Sequence, residues 1–348
     1  MAVAVEAHFP AEVEGIAITR YGHGLPTRHI KVVEAGHPVP DEAGENAARE
    51  ILQEVKRLKE DDLLLVLVSG GGSSLLSLPA PGIAMTQLKA LTNQLLKSGA
   101  DIREMNTVRK HLSAIAGGRL AAASRAPVVA LIISDVTGDD PTHIASGPCA
   151  ADPTTVDDAK AVLAKYRIGF GGPFSESVKS SKAQNKVIAT AYRSLEAAAT
   201  VFERNKVKPV ILGDTITGEA REVGREMARL ARQTRGPAAL ISGGECTVTI
   251  KGEGGRGGRC TEFLLSLGIE TGGIWAIAAD TDGIDGTGDN AGAVLSPDSL
   301  RKACGMNLSA ENFLAKHDSY GFFSALGDLV VTGPTRTNVN DYRAILIT

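Results

Sequence analysis

The sequence has little of what marks most specialised surfaces. Aromatic residues make up 4% of its 348 positions, with one Trp, too few for the platforms on which single-stranded nucleic acids stack. Lys and Arg number 37 against 40 Asp and Glu, a net charge of −3. No basic footprint for nucleic acid or an anionic bilayer is present. No apolar run approaches the ~18 residues of a spanning helix, and the amino terminus has no basic stretch leading into a short apolar one. The four cysteines, Cys149, Cys246, Cys260 and Cys304, show no C-x-x-C spacing. Neither a zinc knuckle nor a disulfide framework is indicated, which fits a reducing cytoplasm. The phosphate loop G-x-x-x-x-G-K-[ST] is missing, and no Ser-His-Asp or Cys-His arrangement is supported.

What is abundant is glycine, 39 residues that fall in clusters. The first cluster organises the chain. Leu63–Leu76 reads LLLVLVSGGGSSLL: an unbroken apolar run, then Ser69, Gly70, Gly71, Gly72, Ser73 and Ser74. Such a run predicts a strand buried on both faces, as in a parallel sheet. Glycines at its end let a ligand approach main-chain N–H groups, with hydroxyls beside them. A plain turn needs one glycine and rarely three.

Further apolar strands are predicted at PVVALII (127–133), PVIL (209–212), AALIS (238–242) and WAIAA (275–279). Each ends in small, hydroxyl or acidic residues: Ser134-Asp135, Gly213-Asp214, Gly243-Gly244-Glu245 and Asp280-Thr281-Asp282. Helical periodicity falls at 44–59, 86–98, 102–123, 185–205 and 218–233, while 141–185 has little period and reads as irregular. Strands alternating with amphipathic helices predict an α/β protein with mostly parallel sheets. Its ligands are expected beyond the carboxyl ends of the strands. The length suits two domains.

Several motifs divide between structure and chemistry. Gly252, Gly254 and Gly257 form G-x-G-x-x-G, with Asp280 at the distance of a ribose-binding carboxylate. The segment before it, CTVTIK, alternates apolar and polar residues. That predicts a half-exposed, antiparallel strand rather than the buried first strand of a dinucleotide fold. Asp280, Asp282, Asp285 and Asp289 crowd one strand end, and hard-cation binding, Mg²⁺ beside phosphate, weighs about equally with ordinary turn chemistry. The Asn106–His111 segment carries Arg109 and Lys110; a solvated helix face is the ordinary fate of such a pair. Arg256 and Arg259 lie in or beside a glycine run, where a guanidinium suits phosphate or carboxylate. The loop from Thr332 to Asp341 could line a site or be a hydrogen-bonded connection.

Taken in order, SGGGSSLLSLP, NTVRKHLS, GGRLA, SDVTGDD, IASGP, DPTT, LGDTITGEARE, LISGGECTVT, GRGGR, DTDGIDG and TGPTRTNVND resemble the glycerate 2-kinase family of the MOFRL type, older members of which were labelled hydroxypyruvate reductases. The resemblance spans nearly the whole chain. It implies a Rossmann-like first domain at residues 1–185 and a second α/β domain with a mixed sheet at 186–348, the MOFRL region falling at about 236–342. It implies ATP- and Mg²⁺-dependent phosphorylation of D-glycerate to 2-phosphoglycerate in an inter-domain cleft, and leaves room for a homodimer. Asp135 and Arg259 would be the catalytic acid and arginine. Ser69, Gly70, Gly71, Gly72, Ser73, Gly243, Gly244 and Glu245 would hold the nucleotide; Asn106, Arg109 and Ser134 the substrate; Asp280, Asp282 and Asp285 the metal. The resembled pattern has a Gly-Lys-Ala segment just ahead of the first helix here, Lys where Ala116 stands, and Asn-Gln where Cys260-Thr261 stand. A reductase using the glycine run, or a binding protein without turnover, are the alternative readings.

Overall fold

The computed structural model describes residues 1–136, 138–250 and 254–348; Thr137 and Gly252, the first glycine of the G-x-G-x-x-G run, lie outside them. The chain divides into two compact units, Met1–Ile188 and Ala189–Thr348. Both alternate strands and helices as the periodicity predicts. Among the described residues no helix is long and apolar enough to cross a membrane.

The first unit opens with helix α1 (Ala2–His8) and two parallel strands, β1 (Gly15–Arg20) and β2 (Ile30–Ala35). Helix α2 (Glu42–Arg57) follows, with the Asp41 carboxylate accepting the Gly44 N–H at its start. The organising strand is β3 (Leu64–Val68), and it leads into one short helical turn, α3 (Gly72–Leu75). Two longer helices come next, α4 (Met85–Lys97) and α5 (Ile102–His111), then a single turn, α6 (Arg119–Ala122), and strand β4 (Val128–Ile133). Helix α7 (Val156–Lys165) and strand β5 (Gln184–Ala189) complete the set. The second sheet has the order β3-β4-β5, with β3 and β4 parallel.

Four expectations are corrected here. Strand β3 is an edge strand, half-buried over most of its length rather than covered on both faces. The helix predicted through 102–123 stops at His111: Leu112 leaves helical geometry, Ser113 bridges Pro79, and Gly117 and Gly118 then take positive φ (60° and 80°) ahead of the short turn α6. Residues 141–185 contain a full helix, α7, started by a capping box between Thr155 and Asp158. The pattern at 185–205 merges a strand, β5, with a helix, because Val187 and Ile188 sit close to the apolar spacing of the helix that follows.

The second unit runs α8 (Ala191–Arg204), β6 (Lys208–Gly213), β7 (Gly218–Glu219), α9 (Ala220–Gln233), β8 (Ala238–Gly244), β9 (Cys246–Thr247), α10 (Arg259–Thr271), β10 (Trp275–Asp280) and β11 (Gly292–Leu295). Three short helices, a two-residue strand and a last long strand close it: α11 (Ser299–Gly305), α12 (Ala310–Ala315), α13 (Ser319–Leu326), β12 (Leu329–Val330) and β13 (Asp341–Ile347). Six strands form one mixed sheet in the order β12-β11-β10-β13-β8-β6. Strands β6 and β8 are parallel, β13 is antiparallel to β8, and β10 is antiparallel to β13. It follows that β6, β8 and β10 all run one way, and that the start of β13 lies at the edge where those three end. The predicted CTVTIK strand is corrected over its described residues: among Cys246–Ile250 only Cys246–Thr247 pairs, and it pairs parallel with β7; Lys251 lies outside the described residues.

The Arg-Lys pair of α5 is not a solvated face. Asn106, Thr107, Lys110 and His111 are buried. The Lys110 ammonium reaches Asp152 at 3.0 Å with both side chains 1% exposed. Asp152 also accepts from the Thr154 hydroxyl. The pair ties the 148–180 excursion to α5. Removing one partner of a buried pair strands the other charge and costs roughly 3–5 kcal/mol. We expect Asp152→Ala to lower the unfolding free energy from urea titration by that much, and Lys110→Met with Asp152→Leu together to lower it far less. Equal losses in the two variants would show that packing, not charge, sets the cost.

Candidate functional site

In the first unit, the paired ends of β3 and β4 bring two polar loops together. Val68 lies opposite Ile132 in a parallel register, so Ser69 onward and Ser134-Asp135 leave the same sheet edge. Asp135 is half-buried there. The Ser73 hydroxyl meets the Ser146 hydroxyl at 2.8 Å, and Ser146 reaches Asn106 Oδ1 at 3.5 Å. Arg109, one turn along α5 from Asn106, donates from Nη2 to the Ser73 carbonyl at 2.7 Å. Arg109 is half-buried, and desolvation lowers its pKa. Among the described residues no carboxylate pairs with it. A desolvated cation with spare N–H donors is a site for an anion.

The glycines do different work from the one expected. Gly71 adopts φ +79° and faces the His37 ring, and Gly72 stands against the methyl of Ala145. The loop is bare because other segments pack onto it. Its neighbour is itself strained: Ala145, Ser146 and Gly147 take φ of 51°, 59° and 61° in succession. Left-handed conformations at non-glycine residues cost on the order of 1–3 kcal/mol each and tend to persist where surrounding contacts over-determine them. Here they aim Ser146 at Ser73. Ser134 is buried, and its hydroxyl donates to the Val136 carbonyl at 3.2 Å within its own turn.

In the second unit, the strand directions explain a cluster of charge. Asp341 lies opposite Gly244 on one side and Asp280 on the other. Arg259, the first residue of α10, meets all of that edge. Its Nε donates to Asp341 Oδ1 at 2.7 Å, Nη2 to Asp280 Oδ2 at 2.5 Å and Nη1 to Glu245 Oε1 at 3.1 Å. Asp341 and Asp280 are buried, whereas the Glu245 side chain is 57% exposed. These carboxylates raise the Arg259 pKa, against the opposing effect of burial. Burial pushes Asp280 up to about 7, against the pull of Arg259 and with the Asp282 and Asp341 charges adding to it.

The remaining expected residues fall elsewhere. Asp285 accepts from the N–H groups of Cys260 and Thr261 and from the Thr261 hydroxyl, at 2.7–2.9 Å. From the loop after β10 it thus holds the first N–H groups of α10. Asp282 Oδ1 accepts the Ile284 N–H at 2.8 Å. Among the described residues no group of three carboxylate, His or Cys side chains is placed to hold a metal ion. Gly243 and Gly244 are buried, and the Ile216 backbone lies where a Gly244 Cβ would sit. Arg256 pairs with Asp289 at 3.0 Å and stacks on Tyr320 with its guanidinium carbon 3.7 Å from the ring centre. Residues missed from sequence are Ser146 and the pair Asp341 and Arg343. The signal for the pair was two charges at i and i+2 opening an otherwise apolar strand, DYRAILI.

A carboxyl whose native pKa lies above its unfolded value stabilises the fold below about pH 4, and that contribution is lost as pH rises toward 7. Thermal melts of wild type and Asp280→Asn should therefore diverge in favour of the variant between pH 4 and 7 and run parallel above. Parallel curves throughout would remove the raised pKa.

Comparison with known proteins agrees with this architecture. The family model described as a domain of unknown function, DUF4147, matches residues 1–181, and the MOFRL family model matches residues 238–341. A protein of Agrobacterium vitis, provisionally named a hydroxypyruvate reductase, is 50% identical over all of this chain and 84% of its own length. A glycerate 2-kinase of Pyrococcus horikoshii is 40% identical, again over 100% of this chain and 84% of its own. The crystal structure of a glycerate kinase from Thermotoga maritima superposes with a TM-score of 0.93 at 38% identity, covering 100% of this chain and 88% of that one. With the two regions in the same order and relatives of this identity matched over most of their length, the chain belongs to the glycerate kinase family of the MOFRL type.

Proposed function

We propose that this chain transfers a phosphoryl group from ATP, with Mg²⁺, to the 2-hydroxyl of D-glycerate. The observation that carries the reading is Arg109: a half-buried guanidinium with no carboxylate partner among the described residues, grouped with Asn106, Ser73 and Ser146. A small hydroxy acid supplies the anion that such a group lacks. The names of the Pyrococcus and Thermotoga relatives point to the same substrate.

Phosphoryl transfer asks chiefly for placement and charge neutralisation. Arg109 and Asn106 hold the substrate carboxylate. Asp135, fixed at the end of β4, orients the hydroxyl and takes its proton as the new P–O bond forms. In the second unit, Arg259 offers a nucleotide phosphate its Nη1 edge, which among the described residues pairs with the exposed Glu245. Mg²⁺, when bound, would supply charge neutralisation at the phosphates, and one or two protein carboxylates would suffice to hold it beside them. Asp282, with Asp280 beside it, would fill that role, while Asp285 also holds the start of α10.

The reductase reading is favoured by the name of the Agrobacterium relative. Two features count against it. A dinucleotide fingerprint needs a buried strand before the glycines and an uncapped helix after them. Here the strand is two residues long, and the first N–H groups of α10 are taken by Asp285.

Purified protein with ATP, Mg²⁺ and D-glycerate should release ADP. Consumption of NADH with hydroxypyruvate, and no ADP, would establish the reductase instead; glycerate binding in calorimetry with neither turnover would establish a binding protein. Arg109→Ala should raise KM for glycerate roughly 10- to 100-fold, since hydrogen bonds to a charged group are worth about 1.5–3 kcal/mol. Asp135→Asn should lower kcat by at least about 100-fold with an unchanged melting temperature, the usual worth of an acid–base group. A near-normal kcat would take Asp135 out of the chemistry.

A further inference from the structure

The second unit buries an arginine that the proposed reaction does not call for. Arg343 is 1% exposed, in the middle of the mixed sheet. It lies on β13 two residues from Asp341, so both side chains leave the same face of the strand. Its Nη2 donates to Asp341 Oδ2 at 2.6 Å and to the Cys246 sulfur at 3.1 Å, and its Nη1 donates to the Gly243 carbonyl at 3.3 Å. Its Nε finds no partner. The Phe263 ring of α10 lies 5.3 Å from the guanidinium carbon.

Such a group is expensive. Replacing buried ion pairs by apolar residues of similar volume is often neutral or stabilising, and the orphaned Nε adds its own desolvation cost. Stability alone gives weak grounds for an arginine here. Its placement gives better ones. Asp341 accepts from Arg343 through one carboxylate oxygen and from Arg259 Nε through the other. Arg259 and Phe263 are four residues apart on α10, so one helix face meets both members of the β13 pair. The Nε edge of Arg259 is therefore anchored by a buried carboxylate that is itself anchored by a buried cation. Asp280 holds Nη2 from the next strand. Only the Nη1 edge is left to the exposed Glu245.

We infer that Arg343 and Asp341 are a positioning relay, which locks the guanidinium of Arg259 with its Nη1 edge outward, toward the anion it serves. The inference builds on the proposed phosphoryl transfer but has a structural reading of its own. Arg343 supplies a two-pronged donor that a lysine, with one compact ammonium, does not reproduce. Charge is kept in Arg343→Lys and orientation is lost.

The experiment compares full-length wild type, Arg343→Lys and Asp341→Asn, each with its melting temperature recorded. Steady-state kinetics with ATP and D-glycerate should show kcat reduced 10- to 100-fold in Arg343→Lys, with KM for both substrates within threefold of wild type. A purely structural role would instead lower the amount of folded protein and leave kcat per folded molecule unchanged, and that result overturns the relay. In parallel, ¹⁵N-arginine labelling follows the Arg259 Nε–H signal, identified by its disappearance in Arg259→Lys. That signal should exchange slowly with solvent in wild type and at least tenfold faster in both variants. Unaltered exchange in a folded Arg343→Lys protein also overturns the relay. If wild type turns over no glycerate, the functional reading fails while the exchange measurement still decides the relay. Should Asp341→Asn fail to fold, Arg343→Lys carries the test by itself.

Discussion

The carboxylate of Asp341 accepts from two guanidiniums at once, and the charged edge of the second unit depends on that contact. Without it, Arg259 would lose the partner on its Nε, and Arg343 would be a buried cation with only a carbonyl and a thiol for company. The arrangement is made by strand direction. Because β13 runs against β8 and β10, its first residue stands where those two strands finish. Three carboxylates distant in sequence, Glu245, Asp280 and Asp341, are thereby delivered to one place. The first residue of α10 then has little choice of what to bind.

The two units solve the problem of a half-buried guanidinium in opposite ways. Arg259 is surrounded by carboxylates, and their crowding shows in Asp280, which burial and like charge push up to about 7. Arg109 is surrounded by hydroxyls, an amide and a carbonyl, with no carboxylate paired to it among the described residues. Arg259 spends its Nε and Nη2 on buried carboxylates and keeps its Nη1 edge toward the exposed Glu245, whereas Arg109 spends Nη2 on a backbone carbonyl. Sequence marked both, Arg259 by its glycine-rich surroundings and Arg109 through the family resemblance, but the difference in their partners came only with the fold.

Rigidity follows the same division. Lys110 and Asp152 pin the 148–180 excursion to α5, and the Arg119 guanidinium ties four backbone carbonyls, those of Lys110, Ala116, Ser175 and Glu176, into the same region. This frame holds Asn106 and Arg109 on one side of the loop and the left-handed Ala145–Gly147 run on the other. The strain in that run is sustained because Gly72 leaves room for the Ala145 methyl. Three features that read separately in sequence, a glycine triplet, a basic helix and an Ala-Ser-Gly tripeptide, are one packed arrangement.

Periodicity alone determined the α/β class, the apolar strands and the polar character of their ends, because burial imposes a repeat that local sequence must carry. The order of motifs was enough to point to the family. What each polar residue does was decided only by tertiary structure. The hydroxyl of Ser134 closes a turn, the carboxylate of Asp285 caps a helix and Gly244 admits a neighbouring backbone, none of which their sequence neighbours announce. Asp341 read as the end of a polar loop, and Arg343 carried no signal of its own. A hydroxyl, carboxylate or guanidinium carries no local mark of its partner; that partner comes from strands brought side by side by register and direction, tens of residues away in the chain.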